Sequence, residues 1–361
     1  MLRHSKMKWL VFVSAFACLL ASLSVGGCAA PSSPGASEGD GATVPSEVYE
    51  WRFQSIMAAG PDSVERYQHQ WIDVVEEMTD GRIKMTLYHG GDVVPVEEQF
   101  SAISKGIIEM GFSLGSYWTG IHPAFQVEGG MPMSFANPRA FLDFMYDYGF
   151  IDYMRDICSE QGVYYLDAHT SGAITMMTKK KLSSLDDLKG FKVRAFGSYL
   201  DLMEKLNAAP VYLPMPEIST GLSTGTIEGV ITGPDVLMRT NVWEVCPYIV
   251  QPDLIGCCPQ HLLMNLEAWE SLPSDLQHIL ELCAMRLTEY HERVWSYQQT
   301  LFIPQMVEEC GCEISKLPDE DWEKVVAAGT DLWDGWANEN PDAREAVDMM
   351  KDYFRQIGYI K

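Results

Sequence analysis

The sequence has no histidines paired at metal-ligand spacing, no phosphate-binding glycine loop and no dinucleotide fingerprint after a strand. Those absences exclude the common routes to nucleotide chemistry and to a His-rich metal centre. Positive charge is scarce: Lys+Arg is 26 against Asp+Glu 50, a formal net charge of −24 over 361 residues. A surface that acidic repels phosphate backbones and cannot grip anionic lipid, which excludes nucleic acid as a partner. Past the N-terminus no stretch is apolar enough to span a bilayer. Apolar matter is not lacking, however. Hydrophobic residues make up 47% and aromatics 11%, enough for a large core and against wholesale disorder. The length fits two domains of ordinary size.

The N-terminus carries an address. Arg3, Lys6 and Lys8 precede an apolar run, Trp9 to Ala21, then small residues and Cys28. That run is shorter than the roughly 20 residues a spanning helix needs, so residues 1–27 read as a secretory signal. Val25-Gly26-Gly27-Cys28 is similar to a bacterial lipobox, in which the Cys is lipidated and becomes the mature N-terminus. Residues 28–47, rich in Ala, Pro, Ser and Gly, read as a flexible tether. The expectation is a body leashed outside the cytoplasmic membrane by a lipid on Cys28. Of the nine cysteines, Cys18 leaves with the signal. Cys158, Cys246, Cys257, Cys258, Cys283, Cys310 and Cys312 remain for the body. Their spacing fits neither a zinc site nor long-loop staples, and buried thiols are the expectation.

Beyond the tether, helices and strands alternate. Strands are expected at 49–57, 82–88, 107–112, 163–168, 191–195, 211–213 and 227–232. Helices are expected at 64–78, 96–105, 140–160, 185–189, 198–208 and 216–224. After Leu266 the chain reads as helical over 267–300, 304–311, 319–339 and 341–356. The alternation predicts an α/β protein with mixed, covered sheets. One segment echoes another. Pro95 to Glu109 and Pro214 to Glu228 share Pro, Glu, Ser, Gly, Ile and Glu at an offset of 119. Each copy reads as helix, glycine stop, strand. Ligands of open α/β sheets bind beyond the carboxyl ends of strands, here the loops from Ser113 to Thr119 and from Thr232 to Asp235.

Candidate chemistry is sparse. Gly111-Phe112-Ser113-Leu114-Gly115 matches the nucleophile elbow of hydrolases, but loop-forming residues follow where the elbow needs a helix. A lipoprotein serine hydrolase using Ser113 is one alternative. Arg194 stands on an alternating strand between Val193 and Ala195. Its fork of donors suits a ligand carboxylate, or else a surface ion pair with one of the many acids. Tyr117 and Trp118 suit the wall of an apolar pocket, or ordinary loop packing.

Several stretches together resemble the solute-binding proteins of TRAP transporters, the DctP family. They are Leu182 to Arg194, Ala208 to Glu217, Gly225 to Pro234, Gly90-Gly91, Tyr117 to Gly120, Gly129 to Pro132 and Asn265 to Pro273. The resemblance implies a two-domain clamshell with mixed sheets, a hinge and a long domain-spanning helix. It implies domains of 48–171 with 260–300 and of 172–259 with 301–361. It implies no catalysis, but capture of a small organic acid for a TRAP membrane permease. A binding protein for an ABC importer or a sensor is the nearer alternative. Arg194 matches the family's carboxylate clamp, Glu98 a family Glu behind the Gly-Gly loop, and Tyr117 and Trp118 a pocket-side loop. Thr232 and Asp235 would take polar roles, and Met176 with Met177 would add apolar wall. The second Arg of sialic-acid binders is missing near Ile174. The Glu-Trp of metal-assisted keto-acid binders is replaced in Val230 to Pro234, and His261 stands where a further family acid would be. No cofactor is therefore expected, and a ligand-bridging metal ion has lost its usual ligands.

Overall fold

The computed structural model describes residues 47–57 and 63–360; the side chains of 63–65, 216, 235, 239, 295, 296, 298 and 299 are not among those described. Cys28 lies outside the described residues. Among the described residues, strands form two mixed sheets. The first has the order β2-β1-β3-β10-β4. Its strands are β1 (Tyr49–Ser55), β2 (Ile83–Tyr88), β3 (Met110–Ser113), β4 (Val163–Ser171) and β10 (Cys258–Asn265). The second has the order β11-β9-β5-β8-β6-β7. It is built from β5 (Ile174–Thr178), β6 (Lys192–Ala195), β7 (Ala209–Tyr212), β8 (Gly229–Thr232), β9 (Tyr248–Ile255) and β11 (Glu313–Lys316).

The chain passes between the sheets at 172–173 and 256–257, then along the helix Ser274–Glu308. The first half of that helix buries Leu276, Leu280, Ala284 and Leu287 in the core of the first sheet. Its far end buries Met306 in the core of the second. A third, aromatic-rich core joins residues of both sheets with the helices Asp319–Glu339 and Arg344–Gln356. There Trp333 Nε1 donates to Pro132 O (2.9 Å) and Trp336 Nε1 to Pro123 O (3.2 Å). Trp333 thus buries its ring and Trp336 part of its own, and each still satisfies its one polar atom.

The echoed segments line up element by element. Val96–Glu98, Gln99–Ser104 and β3 correspond at the same offset to Met215–Glu217, Ile218–Thr224 and β8. The glycine stops, Gly106 (φ 66°) and Gly225 (φ 72°), both take the left-handed conformation that a side chain disfavours. In each copy the last strand lies parallel to a central strand, β1 or β6, that is flanked on its other side by a second parallel strand, β2 or β7.

Three expectations need correction. The helix expected at 140–160 is broken. Pro138–Leu142 leads into a π turn, Asp143–Asp147, and a new helix, Phe150–Ser159, starts after Gly149 (φ 87°). A left-handed glycine ends a helix whatever the hydrophobic period beyond it. The two helices expected at 267–300 and 304–311 are a short helix, Leu266–Glu270, and one long helix that runs through Pro304. Pro304 removes one ladder bond, which a helix packed on two cores tolerates. Strands β5, β9, β10 and β11 were not expected. β5 is buried at every residue and β10 at nearly every one, so neither shows the period-2 alternation of a half-exposed strand. β9 contains Pro252, which reads as a breaker.

No disulfide joins the described cysteines, and Cys158, Cys246, Cys257, Cys283 and Cys312 are buried. No helix of the described residues is long and apolar enough to cross a membrane.

Candidate functional site

The carboxyl ends of β1, β3, β6 and β8 face a shared cleft. Its inner cavity, about 50 Å³, is lined from the first sheet by Ile56, Met57, Leu114, Tyr117, Ser171, Cys258 and Gln260. From the second sheet come Ile174, Arg194, Phe196, Met215, Thr232, Gly233 and Val236. An outer chamber of about 270 Å³ shares Ile56, Met57, Tyr117, Met215 and Val236 and adds Glu97 and Tyr212 among others. Another groove of about 270 Å³, between the helices Ser63–Met78 and Ser274–Glu308, carries Arg286 but no buried charge.

Arg194 decides the character of the cavity. It is only 2% exposed. Its Nε donates to Leu213 O (3.0 Å), its Nη1 to Ile231 O (2.9 Å), and the guanidinium lies 5.0 Å from the centre of the Phe196 ring. Those contacts fix the plane of the fork without neutralising it. Among the described residues no carboxylate pairs with Arg194, and Nη2 has no hydrogen-bond partner. Burial lowers its pKa from the ordinary value, and the nearby Tyr117 and Tyr212 hydroxyls partly oppose that shift. A guanidinium stays charged even so. A buried cation without a counter-charge is costly, and an anion in the cavity would relieve it.

The other expected residues divide. Thr232, at the end of β8 and 5% exposed, lines the cavity. Tyr117, at the end of the turn Gly115–Tyr117, lines both spaces, and burial raises the pKa of its hydroxyl. Trp118 does not join it. Successive residues of a 3-10 turn point about 120° apart, and Trp118 is core, 1% exposed and stacked on His261 at 4.9 Å. Met176 is also core, two residues deeper along β5 than Ile174, with a strand irregularity between them. Glu98 is exposed and outside the lining. Glu97, one residue earlier in the 3-10 turn, lines the outer chamber and accepts a bond from Tyr212 OH across the cleft (3.1 Å). The Asp235 side chain lies outside the described residues. Ser113 is fully buried and absent from the lining, and a 3-10 turn rather than a helix follows it. Ser171, Phe196, Tyr212, Met215, Cys258 and Gln260 were not foreseen.

The described donor set does not fit a bridging metal ion. Among the described residues no three His, Cys, Asp or Glu lie close enough to hold one. The described lining of the inner cavity offers hydroxyls, a thiol and an amide but no carboxylate, beside a fixed cation. Hard cations are held chiefly by carboxylate oxygens. Alternation along β10 turns Gln260 to the cavity and His261 away, where His261 Nδ1 meets Glu128 Oε1 at 2.9 Å in the core.

The family description DctP, bacterial extracellular solute-binding protein, family 7, matches residues 56–340. The chain belongs to the DctP family. This is a family of extracellular solute receptors rather than of enzymes. A monocarboxylate 2-oxoacid-binding periplasmic protein of Nostoc is 29% identical over 57% of this chain, and the match spans 57% of that relative's length. Many solved structures share this fold, and two serve as examples. One is a TRAP periplasmic solute-binding protein from Pseudoalteromonas atlantica with bound sodium and pyruvate. It has TM-score 0.81 and 20% identity, covering 87% of this chain and 96% of that one. The other is a TRAP transporter solute-binding protein from Bordetella bronchiseptica with calcium and picolinate. It has TM-score 0.79 and 22% identity, covering 87% of this chain and 94% of that one.

Proposed function

We propose that this DctP-family protein captures a small organic acid in the cleft between its two sheets and delivers it to a TRAP membrane permease. The observation that carries the reading is Arg194, a buried guanidinium with no carboxylate partner among the described residues. A ligand carboxylate supplies the missing charge and accepts charge-assisted hydrogen bonds from the fork. Tyr117 and Thr232 offer hydroxyls from opposite walls, so the acid is held by both lobes at once. The two lobes, 48–171 with 260–300 and 172–259 with 301–361, act as the jaws. Closure follows from the acid's differential affinity for the closed form. The Nostoc relative's name and the pyruvate and picolinate of the structural neighbours support a carboxylate cargo. A diacylglycerol on Cys28 would leash the receptor near its permease.

The test is thermal unfolding of the full chain against a panel of carboxylates. An acid at about 100 times its Kd adds roughly 2.7 kcal/mol, and Arg194→Ala abolishes that gain. Stabilisation by an acid that persists in the variant overturns the reading.

A further inference from the structure

The acid can be narrowed from the charges of the cleft, an argument that rests on the role of Arg194 given above. Arg194 is the one charged side chain among the described residues of the inner cavity. Once a carboxylate sits on it, the remaining walls are mostly apolar, with Ile56, Met57, Ile174, Phe196 and Val236 facing the ligand's body. The outer chamber is also mostly apolar among its described residues, and its one charged group is Glu97. Among the described residues a second carboxylate on the ligand would find no second cation inside. Further out, at the exposed rim, it would meet a like charge, the Glu97 carboxylate, which accepts a bond from the Tyr212 hydroxyl at 3.1 Å. Burying an unpaired carboxylate is expensive, whereas an alkyl body gains from the same walls. Nor do the described residues of the lining include the carboxylates that would hold a metal ion against the second charge.

We propose that the cleft selects a monocarboxylate with an apolar body, bound without a bridging metal ion, over a dicarboxylate of the same length. The ligand's charge is met by Arg194 and its body by the apolar walls of both chambers. Glu97 guards the outer chamber against a second negative group.

The experiment is calorimetric titration of the full chain with pentanoate and with glutarate, each in the presence of a chelator and again with added calcium. Pentanoate should bind at least about tenfold more tightly than glutarate, with the same affinity in chelator and calcium. Glu97→Gln should raise glutarate affinity several-fold relative to pentanoate. Glutarate binding as well as pentanoate, or pentanoate binding that requires calcium, overturns the proposal. Arg194→Ala, titrated alongside, separates the two levels. Glutarate preferred by the wild type, with both acids lost in the variant, removes only the monocarboxylate preference. Binding that survives Arg194→Ala removes the role of Arg194 and this proposal with it, whereas no binding of either acid to the wild type removes this proposal alone.

Discussion

Gln54 and Arg194 occupy the same slot in two copies of one β-α-β-α-β unit. Each lies two residues beyond a strand residue, Arg52 or Lys192, whose backbone carbonyl accepts from the N–H of the echoed acid, Glu109 or Glu228. Each reaches the carbonyl just before the echoed proline, Gln54 to Val94 O and Arg194 to Leu213 O, both at 3.0 Å. There the likeness ends. Gln54 also accepts from Val93 N and Val94 N, both at 3.1 Å, so its amide is consumed by the loop beside it. Arg194 is longer and charged. It satisfies two carbonyls and, among the described residues, still carries an unmatched charge to the cavity. One copy of the unit uses the slot to pin a loop; the other uses it to present a cation. The first copy then serves the cleft with apolar wall and hydroxyl, through Ile56, Leu114 and Tyr117.

The comparison breaks hardest if the slots are made alike. Gln54→Arg should cost about 3–5 kcal/mol, because a cation would be buried where the loop has closed over the slot. Chemical denaturation of the full chain reads this, and an unchanged midpoint would mean the slots are interchangeable.

A second difference is acidity of the core. The fully buried histidines, His169, His261 and His291, all belong to the first sheet and its helices. Among the described residues both ring nitrogens of His291 lack hydrogen-bond partners, and burial pushes its pKa down to about 4. The folded form therefore binds a proton less readily than the unfolded chain. The contribution of His291 is intact above its ordinary pKa and is lost as pH falls from about 6.5 towards 4, by up to roughly 3 kcal/mol. His169, also lowered by burial, acts in the same direction. His291→Phe should flatten the acid limb of stability against pH by that order. An unchanged slope would place the acid sensitivity elsewhere.

The smallest contrast is between the echoed acids. Glu109 accepts from Arg52 N (2.7 Å) and pairs with the Arg52 guanidinium (2.6 Å), whereas Glu228 only accepts from Lys192 N (3.3 Å). Glu109→Gln should cost about 1–2 kcal/mol and Glu228→Gln under about 0.5 kcal/mol. Equal losses in denaturation would mean that the extra ion pair contributes nothing.

The sequence made the repeat visible because its markers, proline, glycine and the paired acids, are local backbone signals. It made Arg194 visible because an arginine between apolar neighbours on an alternating strand stands out in an acidic chain. Gln260 and Cys258 stayed hidden because β10, buried along nearly its whole length, has no period to reveal a strand, and without the strand no face can be assigned. Glu97 and Trp118 show a finer limit. In 3-10 turns neighbouring residues face different ways, so an assignment one position off puts a side chain in solvent or in the core instead of the cleft. Contacts across the cleft, such as Tyr212 with Glu97, join residues far apart in the chain and leave no mark in local pattern.

The central claim is that Arg194 waits for an anion rather than completing an internal ion pair. Arg194→Gln tests it most directly, since Gln54 shows that glutamine can hold the equivalent carbonyl. Binding of the best-bound acid and stability of the ligand-free chain should be measured on the same variant. The account predicts a loss of affinity of about a hundredfold or more, with ligand-free stability unchanged or raised. Retained affinity, or a stability loss of the roughly 3–5 kcal/mol expected when a buried ion pair is broken, would contradict it.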